Sequence, residues 1–269
     1  MIVFPNAKIN LGLRVLRRRS DNFHDIETVF YPVPWCDALE IIPSPDGTHS
    51  FTTSGLPVPG AEEHNLCLRA WRLIQQQHSL PQVHMHLYKA IPMGAGLGGG
   101  SSDAAHTLIA ANKLFDLNLS KETLAQMAAT LGSDCPFFIY NKPMLATGRG
   151  EQLQRIDIDL SQYAIFVVKP QIAISTAVAY ASLSPAENSD AQQAIQLHPK
   201  YWKDKLINDF EATVTRAHPQ IAAIKEKLYE AGAIYAAMSG SGSAVYGLFK
   251  DLQRVKKMEW EECAIWASE

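Results

Sequence analysis

Apolar and β-branched positions come in short runs at the start of the chain, at 7–15, 26–33 and 38–42. Ser-Asp-Asn and Pro-Ser-Pro-Asp-Gly turns separate these runs, a pattern that predicts an antiparallel sheet. Asn65 then offers a helix cap, and Leu66, Trp71, Leu73 and Ile74 carry a buried stripe to about Ser79. Val83, Met85 and Leu87 alternate with His84, His86 and Tyr88, giving a strand that runs through Lys89 into a glycine-rich loop. Beyond that loop, Ala104, Ala105, Leu108, Ile109, Leu114 and Phe115 repeat at helical spacing, and a second helix over 120–131 stops at Gly132. Strands follow at 144–149 and 163–169. Helices follow at 175–183, closed by Pro185, and at 221–231, closed by Gly232, and the stretch 234–249 reads as two strands around Ser239-Gly240-Ser241-Gly242. A composition shift after Gly148-Arg149-Gly150 suggests two domains, 1–155 and 156–269, in an α+β chain.

With 269 residues, 47% of them hydrophobic and 19% charged, the chain has the material for a real core, which excludes disorder and fibre. Its net charge of −3 offers no basic field for nucleic acid or an anionic membrane, so a small soluble substrate is the expected partner. No apolar run approaches the roughly 18 residues of a membrane span, and Met1-Ile2-Val3-Phe4-Pro5 lacks the blocks of a signal peptide; a cytoplasmic location is expected. Cys36, Cys67, Cys135 and Cys263 are far apart, without a C-x-x-C pair, and read as reduced, mostly buried thiols. His84 and His86 fit either an H-x-H metal pair or the polar face of a half-buried strand. Arg17-Arg18-Arg19 reads as a solvated strand end, the alternative being a grip on phosphates.

The chemistry centres on Pro92-Met93-Gly94-Ala95-Gly96-Leu97-Gly98-Gly99-Gly100-Ser101-Ser102, between a predicted strand and a predicted helix. Glycines in a fixed loop are entropically costly, so a bare connector gains little from five of them. Backbone N–H groups that approach an anion closely supply a reason, and the helix expected to start near Ser101 adds its own N–H groups and positive dipole end. Phosphate is the expected guest, against a flexible lid or a tight packing turn. Gly94-x-Gly96-x-x-Gly99 formally satisfies the dinucleotide fingerprint, but the preceding strands look antiparallel and no acidic residue follows at the end of a next strand. A P-loop would need lysine where Gly100 stands.

The segment 92–105 resembles the ATP loop of the GHMP kinases. The likeness extends through Asn6-Ala7-Lys8-Ile9-Asn10-Leu11, Phe23-His24, Asn65-Leu66, Leu131-Gly132-Ser133-Asp134-Cys135-Pro136 and Ser239-Gly240-Ser241-Gly242-Ser243-Ala244, which cover nearly the whole chain. The resemblance implies a half like domain 2 of ribosomal protein S5 for ATP and a ferredoxin-like half for substrate. It implies ATP-dependent phosphorylation of the 2-hydroxyl of a cytidine-diphosphate-linked methylerythritol in the non-mevalonate route to isoprenoids, with ATP and Mg²⁺ as cofactors. Phosphoryl transfer asks the protein mainly for alignment and charge neutralisation, and each motif can take one such task.

By this resemblance Asp134 orients or accepts the proton of the attacking hydroxyl, where its position alone would equally suit a helix cap. Lys8 brings positive charge to the hydroxyl and the γ-phosphate. Asn10, two residues on, shares the strand face of Lys8 and is expected to reach the polyol. Ser101 and Ser102 turn hydroxyls to phosphate or Mg²⁺ while capping the helix. Asn65 and Lys89 are placed on the adenine side. Phe23 is to stack on cytosine with His24 on its polar edge, Phe standing where Tyr is commoner. Tyr180 is a second aromatic opposite Phe23, or a core residue of its helix. Gly240-Ser241-Gly242 supports the phosphate region or forms an ordinary hairpin turn. The rival functions are a kinase of another small alcohol, a dinucleotide-dependent oxidoreductase and a catalytically silent nucleotide-binding protein.

Overall fold

The structure is a computed structural model that describes residues 1–181, 183, 189 and 191–268. In chain order the first elements are β1 (Ile2–Val3), β2 (Asn6–Arg18), β3 (His24–Cys36), β4 (Ala38–Pro43), β5 (Ser50–Gly55), α1 (Leu66–His78) and β6 (Val83–Lys89). After the glycine segment come α2 (Gly99–Leu114), α3 (Lys121–Ala129), α4 (Cys135–Tyr140), β7 (Met144–Thr147), β8 (Gln152–Arg155), β9 (Ala164–Pro170), α5 (Thr176–Ala181) and α6 (Ala191–Ala194). The chain closes with α7 (Phe210–Ala217), α8 (Pro219–Glu230), β10 (Tyr235–Met238), β11 (Val245–Phe249) and β12 (Cys263–Ala267). The expected strands and helices are present with shifted ends; Pro185, expected to close α5, lies outside the described residues.

Two compact units result, and they interleave along the chain. One comprises 1–7, 34–93 and 98–142; the other comprises 8–33, 94–97 and 143–269. This differs from a single break at 155/156, because strand pairing is not local: β2 and β3 share one sheet, in the order β2-β3-β7-β8, with strands more than a hundred residues later.

In the first unit the sheet β1-β4-β6-β5 buries Leu39, Ile41, Met85 and Leu87, while α1 and α2 bury Leu68, Trp71, Ile74, Ala104, Ala105 and Leu108. Asn65 caps α1 as expected, accepting from Cys67 N at 2.8 Å. His84 and His86 lie on the polar side of β6, hydrogen-bonded to Ser50, Thr52 and Ser54 of β5. Among the described residues no three His, Cys, Asp or Glu side chains gather as a metal site.

In the second unit the sheets β2-β3-β7-β8 and β10-β11-β9-β12 enclose a core of Leu13, Val15, Phe166, Val168, Phe210 and Leu228. Among the described residues no helix is long and apolar enough to cross a membrane.

Candidate active site

The glycine segment joins β6 to α2. Gly98 occupies the N-cap of α2 with φ 70°, so the helix begins at Gly99 rather than near Ser101. Its first internal bond runs from Ser102 N to Gly98 O at 2.9 Å. The N–H groups of Gly99, Gly100 and Ser101 therefore face out of the helix's N-terminal end, where the backbone dipole favours an anion. Ser101 and Ser102 fall inside the first turn and are not its caps. Ser102 is fully buried with its hydroxyl turned to His106, so it does not face a ligand, whereas Ser101 is half-buried.

A second reason for a glycine lies inside the protein. At Gly96 a Cβ would stand 1.9 Å from the carbonyl oxygen of Ser239. Here two backbone segments meet: Ser239 Oγ donates to Gly96 O at 2.7 Å and Ala244 N donates to Ala95 O at 3.1 Å. Lys8 N donates to Leu97 O at 2.9 Å, which seats the same segment on β2.

Lys8 and Asn10 do share a face of β2. The Lys8 ammonium donates to Asn10 Oδ1 at 2.5 Å and lies 4.8 Å from the centre of the Phe30 ring. Asn10 Nδ2 donates to Thr28 Oγ1 at 3.0 Å, and Asn10 N donates to Ser239 Oγ at 3.2 Å. Tyr246 donates its hydroxyl proton to Asn10 O at 2.8 Å. Asn10 is thus buried, with its amide oxygen taken by Lys8 and an amide N–H by Thr28, which fixes it against the Lys8 ammonium. Gly240, in the β10–β11 turn, packs against Asn10 Oδ1 and Gly96, and Asn208 Nδ2 holds its carbonyl at 2.9 Å. Ser241 Oγ meets Thr176 Oγ1 at 3.1 Å, and Gly242 backs onto Met238 and Ile174. Thr28, Asn208 and Tyr246 escape sequence reasoning, and Ser239 enters it only as the start of a glycine motif; only the fold brings them to one place.

In the first unit Asp134 occupies the N-cap position of α4, yet its side chain makes no capping bond. Burial pushes the neighbouring Cys135 thiol up to about 12, so the sulfur stays protonated.

Lys89, at the end of β6, is engaged by protein partners. Its ammonium is wholly buried, bonded to Asp37 Oδ2 and, at 2.7 Å, to Asp103 Oδ2. Asp37 Oδ1 also takes the N–H groups of Ala90 and Ile91 at 2.6 and 2.8 Å. The triad anchors the entry of the glycine segment and the first turns of α2, and Lys89 acts there as a strut. Asp103 Oδ1 has no partner although it is buried, and burial lifts this carboxyl well above the ordinary range. Asp103 also lines a cavity of about 270 Å³, together with Asn65, Leu66, Met93 and Gly100. Its wall mixes apolar side chains such as Phe51, Leu66 and Leu87 with polar ones such as Thr53, His64 and Asn65, and its size admits a flat heterocycle with polar edges.

Phe23, His24 and Tyr180 line a larger cavity, of about 650 Å³, within the second unit. His24 and Tyr180 stack at 4.9 Å with 16° between their planes, and Phe210 backs Tyr180 edge-on. Phe23 is 52% exposed, and the Arg149 guanidinium lies 4.9 Å above its ring.

The family model "GHMP kinases N terminal domain" matches residues 65–142, and "GHMP kinases C terminal" matches 191–259. A 4-diphosphocytidyl-2-C-methyl-D-erythritol kinase of Parabacteroides distasonis is 47% identical over 268 residues, covering 99% of this chain and 98% of the relative. The crystal structure of a 4-(cytidine 5'-diphospho)-2C-methyl-D-erythritol kinase superposes with a TM-score of 0.84 at 28% identity, covering 99% of this chain and 98% of that one. The mevalonate kinase of Methanococcus jannaschii shares the fold, with a TM-score of 0.75 at 14% identity over 99% and 97% of the two chains. The chain belongs to the 4-diphosphocytidyl-2-C-methyl-D-erythritol kinases, within the GHMP kinases.

Proposed function

We propose that the chain transfers the γ-phosphoryl group of ATP to the 2-hydroxyl of 4-diphosphocytidyl-2-C-methyl-D-erythritol, as a cytoplasmic enzyme of the non-mevalonate isoprenoid pathway. The observation that carries this reading is the seating of the glycine segment on β2: Lys8 N bonds Leu97 O, and Ser239 ties Gly96 to Asn10. Residues 94–97 of the glycine segment, Lys8, Asn10 and Ser239 form one hydrogen-bonded assembly.

In this reading the N–H groups at 99–101 bind the triphosphate, and Lys8 stabilises charge on the transferring oxygens. Asp134 takes the hydroxyl proton as the oxygen–phosphorus bond forms and the bond to the β-phosphate oxygen breaks. Asn65 belongs to the adenine site, and Phe23, His24 and Tyr180 hold the cytosine. The oxygen donors Ser101 and Asp134 suit Mg²⁺, an ion usually held by one or two carboxylates together with substrate phosphates. When bound, it neutralises phosphate charge.

A coupled assay with ATP and the cytidine substrate, run beside mevalonate and homoserine, tests the reading. Turnover of the cytidine substrate alone is expected; preferred turnover of either other alcohol, or calorimetric binding of nicotinamide dinucleotide in place of ATP, overturns it.

A further inference from the structure

The three arginines at the end of β2 have different surroundings. Arg17 Nε pairs with Asp25, and Arg19 pairs with Asp25 at 2.8 Å and Asp21 at 3.1 Å. Both charges are matched, so these two fit the solvated strand end. Arg18 reaches the amide oxygen of Asn22 at 3.2 Å and lines the cavity of Phe23, His24 and Tyr180. Arg149, in the turn after β7, lines the same cavity from above the Phe23 ring. Glu151 Oε1 pairs with its Nε at 3.8 Å, while Glu151 Oε2 accepts the backbone N–H of Arg149 at 2.7 Å. Among the described residues Arg18 has no carboxylate within ion-pair distance, and Arg149 has only the long contact to Glu151, with Asp21 close enough to feel its charge.

A neutral base between aromatic rings has no use for two cations, whereas a base with an anionic tail does. We infer that Arg18 and Arg149 form the subsite for the diphosphate of the cytidine-diphosphate-linked substrate, a step that rests on the function proposed above. Guanidinium forks suit phosphate oxygens and make charge-assisted bonds, which makes each arginine worth about tenfold or more in affinity. Arg149 on Phe23 also braces a ring that lacks the commoner tyrosine hydroxyl.

The test is calorimetric titration of the intact protein and of Arg18→Gln, Arg149→Gln and Arg149→Lys with cytidine and with cytidine diphosphate. The parent is expected to bind the diphosphate more tightly than cytidine. Each glutamine variant is expected to lose about tenfold for the diphosphate and less than about twofold for cytidine, and lysine to recover part of the loss. Equal losses for both ligands overturn the subsite, as does unchanged affinity for the diphosphate. A parent that binds both ligands equally overturns the subsite alone; one that binds neither overturns the functional reading and the subsite together.

Discussion

Two regions of the second unit are built in opposite ways. Around Lys8, 3% exposed, and Asn10, 2% exposed, every partner is supplied by the protein: Phe30, Thr28, Ser239 and Tyr246 fix the ammonium in advance. Around Phe23, 52% exposed, the walls are rings and guanidiniums that present surface to solvent. Charge that develops during phosphoryl transfer is stabilised best by groups that need not move, since reorganisation would raise the barrier. A base, by contrast, is recognised as it buries ring faces, so that part can stay open until it arrives. The buried region should govern turnover and the open region affinity.

The sharpest way to probe the turnover side is Asp134→Asn, which keeps shape and removes the proton acceptor. We expect turnover to fall about 10²–10⁴-fold while ATP binding stays near that of the parent; equal turnover would count against the acceptor role.

Lys89→Met attacks the buried framework under the glycine segment. Two buried carboxyls lose their cation, and we expect a loss of about 3–5 kcal/mol in urea unfolding. The loss should grow from pH 6 to pH 8, because burial raises the Asp103 carboxyl, which sheds its charge by protonation toward the lower pH. A variant as stable as the parent at pH 8 would show that the triad is not a strut.

Asn10→Ala leaves Lys8 its charge but loosens its placement. Turnover should drop about tenfold, with little change in the Michaelis constant of the cytidine substrate. If the Michaelis constant rises and turnover holds, Asn10 touches the polyol after all.

The smallest effect concerns pH. Burial holds the His106 imidazole below its ordinary value of 6.5, and its Nδ1 bonds the Ser102 carbonyl at 2.9 Å. The folded state therefore favours the neutral ring, and this contribution to stability is complete above pH 6.5 and is lost as pH falls below it. His106→Gln should flatten the melting temperature between pH 7 and pH 5; an unchanged slope would assign the pH dependence elsewhere.

The glycine segment is legible from sequence because its chemistry is local: strand, glycines and helix follow one another. The demand on Gly96 is not, since the Ser239 carbonyl that excludes a Cβ arrives from 143 residues away. Asp37, Lys89 and Asp103 look like ordinary charged positions until the fold buries them together. The polar strand Ser50–Gly55 shows no alternation because it forms an edge, paired on one side with β6. Lys8 and Asn10 sharing a face was readable from strand periodicity; that Asn10 is fixed against the Lys8 ammonium depended on Thr28 and Ser239.

Paired steady-state kinetics of Lys8→Met and Tyr180→Ala, with ATP and the cytidine substrate, test the division between the two regions most directly. Lys8→Met is predicted to lower kcat about 10²–10³-fold with the substrate KM nearly constant. Tyr180→Ala is predicted to raise that KM by about 5–150-fold with kcat nearly constant. The opposite assignment, Lys8→Met acting on KM or Tyr180→Ala acting on kcat, would contradict it.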